Sequence, residues 1–131
     1  MLLPDFPGME DLTFLDWSGS GKTVYNRSLT EVVYPTLGET GHAYILWDIQ
    51  KKKIIANLPT RDFSPDGPKW SPNGDGFVVV ATGDNVSLGK NEFFWVGADG
   101  KILQLTSFRN KYSTIDILMW SWSPDGKYIA Y

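Results

Sequence analysis

Trp122-Ser123-Pro124-Asp125-Gly126-Lys127, running on into Tyr128-Ile129-Ala130-Tyr131, is the stretch on which the fold of this chain turns. Proline suits the second position of a type I turn because its φ is already near −65°; Ser123 and Asp125 can bond nearby amides, and Gly126 accepts a positive φ. The residues that follow are aromatic or β-branched and too few for a helix, so they read as a strand leaving a hairpin turn. The phrase occurs twice more, as Trp17-Ser18-Gly19-Ser20-Gly21-Lys22 and Trp70-Ser71-Pro72-Asn73-Gly74-Asp75, at intervals of 53 and 52 residues. Self-similarity at a fixed period marks a repeat architecture. Phe77-Val78-Val79-Val80-Ala81 leaves the second turn as a strand. Ahead of the third turn, Thr114 to Trp122 is apolar on both alternating faces, which predicts a strand sandwiched between two layers. Its earlier equivalents are Leu12 to Trp17 and the shorter Pro68-Lys69-Trp70.

A second phrase recurs between the turns. Tyr44 to Ile49, the polar Lys51-Lys52-Lys53 and Ile54 to Leu58 match Phe93 to Val96, Ala98-Asp99-Gly100-Lys101 and Ile102 to Thr106. Each reads as strand, turn, strand, and Asp-Gly is a strong hairpin signal. Four short antiparallel strands per period of roughly fifty residues is the blade of a β-propeller. The expected fold is therefore all-β, a partial β-propeller of about two and a half four-stranded antiparallel blades. It forms one segment over residues 1–131, with repeats at about 12–57, 68–104 and an incomplete 115–131.

Trp-Ser-Pro-Asp-Gly-Lys with Tyr-Ile-Ala-Tyr after it, and Trp95-Val96 through Ala98-Asp99-Gly100-Lys101 to Leu105-Thr106, resemble the WD-like repeats of TolB-type bacterial propellers and of prolyl-oligopeptidase-type propellers. The match is tightest at the third turn, looser at the second and loosest at the first, where Gly19 replaces proline. Likeness to TolB-type relatives implies a periplasmic or extracytoplasmic location. Likeness to the peptidases implies a catalytic domain outside this chain. Closed propellers need at least roughly four blades. The missing blades are expected from the rest of a longer parent chain, in preference to identical copies. An uncovered blade face of about 500 Å² would forgo on the order of 10 kcal/mol.

The hydrophobic fraction of 42% suffices for a core, and 13 Gly with 8 Pro punctuate the chain too often for long helices. The net charge of −3 comes from acidic and basic residues mixed throughout, so nucleic acid is not an expected partner. Lys51-Lys52-Lys53 reads as a solvated turn. Without cysteine there is no disulfide framework or thiolate nucleophile. Met1-Leu2-Leu3-Pro4 lacks the pattern of a signal peptide, and no apolar run reaches membrane-spanning length, so a soluble chain without membrane insertion is expected.

Several local patterns suggest chemistry and are outweighed. Gly19-Ser20-Gly21-Lys22-Thr23 ends like a phosphate-binding loop, but Asp16 stands where its first glycine belongs and no helix signal follows. Asp62 to Gly67 alternates oxygen donors like a calcium loop, but Asn73 replaces the closing glutamate; a further Ser-Pro-Asp-Gly turn is expected there. His42 is the only histidine and no Gly-x-Ser-x-Gly elbow accompanies it, so no catalytic residue is assigned. Asn26-Arg27-Ser28 and Asn85-Val86-Ser87 match glycosylation acceptors. Trp17, Trp70 and Trp122 are expected to share one repeated packing position, and Trp47 and Trp95 another. Trp120 breaks that pattern, is expected on the face opposite Trp122, and is the tryptophan singled out for a role beyond the repeat.

No cofactor or metal site is assigned. The expected function is non-catalytic: a scaffold that binds a protein or small-molecule ligand at inter-blade loops, with Asn26 to Gly41, Thr60 to Pro68 and Thr82 to Asn91 as the candidate loops. The alternative is the propeller portion of a prolyl-oligopeptidase-type serine peptidase.

Overall fold

The structure, a computed structural model, describes residues 23–38, 41–82 and 91–131. It is all-β, with a single 3-10 turn among the described residues. Sheet I has four antiparallel strands in chain order: β1 (Val24–Tyr25), β2 (Glu31–Gly38), β3 (Gly41–Asp48) and β4 (Lys53–Thr60). Sheet II repeats the order with β5 (Lys69–Trp70), β6 (Gly76–Ala81), β7 (Glu92–Gly97) and β8 (Ile102–Gln104). A two-stranded ribbon, β9 (Ser121–Trp122) with β10 (Ile129–Ala130), follows a 3-10 turn at Phe108–Asn110.

The layers stack face to face. Side chains alternate along a strand, so each strand serves two interfaces. Val33, Leu46 and Leu58 of sheet I meet Phe77, Val79, Phe94 and Val96 of sheet II in one core. Val78, Val80 and Phe93, on the opposite face of sheet II, meet Ile117, Trp120, Trp122 and Ile129 in a second. β6 is consequently buried along its whole length, and it is covered on both faces, as is β7 with Phe94 and Val96 in one core and Phe93 in the other. Thr114 to Trp122 is not. Only Ser121–Trp122 is a strand there, and Leu118 and Met119 are 60% and 81% exposed. Among the described residues the ribbon has β10 alone beside β9, and in the segment ahead of it only Ile115 makes an isolated bridge.

Three turns are built alike. The amide of Ser71 donates to the Gly76 carbonyl at 2.8 Å, that of Ser123 to the Tyr128 carbonyl at 2.8 Å, and that of Asn26 to the Glu31 carbonyl at 3.0 Å. Closing bonds run from Gly74, Gly126 and Leu29 back to the same three residues. The earliest copy of the turn among the described residues is thus Asn26 to Thr30, and Tyr25 takes the place that Trp70 and Trp122 hold. Trp17 to Lys22 lies outside the described residues. Asn26 substitutes for serine by accepting the amides of Thr30 and Glu31 through its side-chain oxygen at 2.9 and 3.1 Å, an Asx-type closure that needs no proline. The chain from Asn26 to Gly41, expected as a loop, is this turn plus β2 and the start of β3.

Leu29 sits at φ 57°, in the position of Gly74 at 76° and Gly126 at 71°. A left-handed residue with a Cβ is strained by about 1–2 kcal/mol, and Leu29 is 64% exposed, so its side chain gains little packing in return. Leu29→Gly is expected to stabilise the fold by about 0.5–1 kcal/mol after the added freedom of the unfolded chain is subtracted. A higher urea midpoint checks this; an unchanged or lower midpoint refutes it.

Register settles the other tryptophans. Trp47 pairs with Val32, whereas Trp95 pairs with Val78, the counterpart of Val33. A one-residue offset turns a side chain to the other face of a sheet. Trp47 therefore packs with Val32, Tyr34 and Ile45 on one face of sheet I, and Trp95 faces the ribbon. Trp120 joins Trp122 in the same core and is not opposed to it, as the two-residue period of a strand requires.

Candidate functional site

The two ends of the stacked sheets differ. At one end the short turns stand in a row: Asn26 to Thr30, then Ser71 to Asp75, with Gly126 beside Pro72 and Asn73. Second turns join this rim, since the amide of Ile49 donates to the Thr30 carbonyl and that of Ala98 to the Asp75 carbonyl. Lys51 and Lys52 lie in such a turn, where the Asp48 carboxylate accepts the Lys51 amide at 2.8 Å. Between the first two turns lies a groove of about 580 Å³ lined by Asn26, Arg27, Ser28, Trp70 and Ser71 to Gly74. Asn26 is 6% exposed and its amide donates to Thr30 at 2.9 Å, so it is not presented for glycosylation. Asn85 lies outside the described residues.

Glu31, at the start of β2, faces Asp48 directly across the pair. Burial first, and the Asp48 charge second, raise its carboxyl above the ordinary value of 4.5, with Lys51 acting the other way. A raised carboxyl binds its proton more tightly folded than unfolded, so the penalty is absent in acid and grows as pH rises through the shifted range. Glu31→Gln is expected to add about 0.5 kcal/mol at neutral pH and nothing in acid. Urea midpoints measured at both pH values test this; equal gains at both would refute it.

The long connections occupy the opposite end. Arg61 to Pro68 contains the turn Ser64-Pro65-Asp66-Gly67, closed by the Gly67 amide on the Ser64 carbonyl at 3.1 Å. This is the Ser-Pro-Asp-Gly turn anticipated in the sequence. It is anchored from below, because the buried Tyr44 hydroxyl accepts the Ser64 amide at 3.1 Å and burial drives that phenol well above its ordinary range. Thr60 and Thr82 join their hydroxyls at 3.3 Å, and Thr82 also accepts the Arg61 amide at 2.6 Å. The His42 ring packs edge-on against Phe63 at 4.8 Å. The loop thus presents Arg61 and Asp62 to solvent from a fixed base. Of the third candidate loop only Thr82 and Asn91 are described.

Asp66 is occupied by a tie to the ribbon. Its carboxylate accepts Lys69 Nζ at 2.6 Å and the Trp120 amide at 3.2 Å, while Lys69 also donates to the Trp120 carbonyl and lies 4.7 Å above the Trp120 ring. Trp120, marked in the sequence for a separate role, is a 3% exposed core residue bound into this tie. Among the described residues no group of three acidic or histidine side chains gathers as a metal site. The phosphate-loop pattern at residues 19–23 lies outside them but for Thr23.

Sequence reasoning missed two features. Glu92 is a fully buried carboxylate at the start of β7, and it accepts the Thr106 hydroxyl and the amides of Phe108 and Arg109 at 3.0 and 2.9 Å. The other is an apolar groove of about 420 Å³ between sheet II and the ribbon, lined by Phe93, Trp95, Leu105, Trp122, Ile129 and Tyr131 among others. Nothing in the local spelling of either region signals it.

No family model, curated protein or solved structure matches this chain. Among the described residues no helix is long and apolar enough to cross a membrane.

Proposed function

We propose that this chain is a section of a TolB-type β-propeller, about two and a half blades, that acts as a non-catalytic scaffold and binds a protein or small-molecule ligand at the loops of its long-connection end. The observation that carries the reading is one relation made twice. Trp70 Nε1 donates to the Val24 carbonyl and Trp122 Nε1 to the Lys69 carbonyl, each at 3.1 Å. In both cases the acceptor lies one residue before the position equivalent to the donor, in the preceding sheet. β5 and β9 are thus each stapled to the first strand of the preceding sheet by the same bond, a repeated relation that supports successive blades around one axis.

A scaffold reading also fits the duties of the polar side chains. Glu92 fixes backbone amides, Asp66 ties loop to ribbon, and Ser71 and Ser123 donate to Asp75 and Asp125 inside their own turns at 2.5 and 2.6 Å. Arg61 and Asp62, exposed on an anchored loop, are left to meet a partner.

A photo-crosslinking residue placed at Asp62, and separately at Asn73 on the opposite rim, tests this in the native host. A discrete adduct from position 62 and none from 73 is expected. Equal adducts from both, or none from 62, would overturn the binding assignment. An experimental structure in which β1, β5 and β9 do not run around a common axis would overturn the propeller.

A further inference from the structure

The turn Ser71-Pro72-Asn73-Gly74 differs from its relatives at one position. Where Ser64-Pro65-Asp66-Gly67 and Ser123-Pro124-Asp125-Gly126 carry aspartate it carries Asn73, which makes Asn73-Gly74 the only Asn-Gly step of the chain. Both aspartates are tied down. Asp66 accepts Lys69 Nζ and the Trp120 amide, and Asp125 accepts the Ser123 hydroxyl at 2.6 Å and the Lys127 amide at 3.1 Å. In the turn of sheet II the Ser71 hydroxyl goes instead to Asp75. Asn73 is exposed, and among the described residues its side-chain amide makes no hydrogen bond.

An asparagine followed by glycine is prone to cyclise, because no side chain beside the next nitrogen blocks its approach. Hydroxide draws off the Gly74 amide proton, the nitrogen bonds to Asn73 Cγ, and the Cγ–Nδ2 bond breaks; Nδ2 leaves as ammonia and hydroxide is returned. Water then opens the cyclic imide on one side or the other, giving aspartate, or an isoaspartate whose main chain detours through Cγ. The folded turn holds this reaction back. The Gly74 amide donates to the Ser71 carbonyl at 3.0 Å, and a bonded amide proton is given up to hydroxide only when the bond opens.

We propose that Asn73 is a spontaneous modification site, closed while the turn Ser71 to Gly74 is made and converted to aspartate or isoaspartate when it opens. The two products differ in effect. Aspartate at position 73 reproduces Asp125 of the ribbon turn, a spelling this fold already accommodates. Isoaspartate draws Gly74 away from its bond to Ser71, the residue whose own amide closes on the Gly76 carbonyl at 2.8 Å. Pro72 and Asn73 also lie beside Gly126 of the ribbon turn, so the change loosens the rim where sheet II meets the ribbon. The assignment is independent of the propeller reading and of any ligand.

The full chain is incubated in mildly alkaline buffer with and without guanidinium chloride, and the peptide holding Asn73 is followed by mass spectrometry, isoaspartate being scored with an isoaspartyl methyltransferase. Conversion at Asn73 is expected to run at least about tenfold slower in buffer than in denaturant, because only the open turn reacts. In denaturant it should outrun every other asparagine of the chain. Pro72→Ala, which frees the φ that proline fixes, should speed conversion several-fold in buffer and leave the rate in denaturant unchanged. Asn73→Asp should keep amide exchange at Gly74 as slow as in the parent, whereas purified isoaspartyl protein should not. Equal rates with and without denaturant, a faster asparagine elsewhere in the unfolded chain, or a Pro72→Ala variant no faster than the parent in buffer would each overturn the site. Equal protection of Gly74 in the aspartyl and isoaspartyl forms would overturn its effect on the turn.

Discussion

Glu92→Ala is expected to destabilise the protein by about 3–5 kcal/mol, a large share of the stability of a small domain. The carboxylate is 1% exposed and is the acceptor for the Thr106 hydroxyl and two backbone amides of the Phe108–Asn110 turn. Truncation leaves those donors facing an apolar cavity, and each buried unsatisfied donor costs about 1–3 kcal/mol. Thr106 also accepts the Phe93 amide at 3.0 Å, so the loss reaches the strand that faces the ribbon. Glu92→Gln keeps the shape and one acceptor but turns an NH2 group toward a donor, and should fall between wild type and alanine. Urea unfolding orders the three proteins. Amide exchange at Phe108 to Tyr112 should rise first, because the turn loses its anchor before the sheets separate. An alanine variant within 1 kcal/mol of wild type, by the same threshold of one unsatisfied donor, would show that the carboxylate is dispensable.

Gly76→Ala is expected to cost about 2–4 kcal/mol through overpacking in a closed space. A Cβ at Gly76 would lie 2.4 Å from the Trp95 ring and 2.6 Å from the Val96 carbonyl oxygen, so both a side chain and the backbone must give way. Gly76 pairs with Gly97, and the indole of Trp95 spreads over the space both leave. Sheet I solves the same position with the opposite sizes, Glu31 and Asp48 across from each other and Leu46 in place of Trp95. The pair is thus a matched large and small. Trp95→Leu alone should cost about 2–3 kcal/mol from the cavity it opens. The double variant should be more stable than the sum of the two losses by at least about 1 kcal/mol, since contacting residues couple. Additive losses would show that the ring and the glycine are independent.

The turns and hairpins were legible in the spelling because they are local. Ser71 to Gly74, Ser123 to Gly126 and Ser64 to Gly67 each carry their own bond donors and their own left-handed residue within four positions, and all three close as that spelling implies. The copy at Asn26 to Thr30 was passed over for the same reason. Asn26 to Thr30 reaches the same shape through an asparagine side chain and a strained leucine, so the geometry repeats where the words do not. The candidate loop at Thr60 to Pro68 was legible as a long, polar, proline-bearing connection. Its base on Tyr44 and Thr82 was not, since those partners lie some twenty residues away.

The alternation of apolar residues and the repeated turn determined, without any coordinates, that this chain would form short antiparallel strands in four-stranded units. Each of those outcomes depends on contacts within a few residues or across one hairpin. Which face each tryptophan serves, that Glu92 is sealed inside, and that a groove lies open beside β10 were decided only by tertiary structure. Strand register and sheet stacking join residues dozens of positions apart, and a shift of one residue, invisible in composition and barely visible in spelling, exchanges the two faces of a sheet.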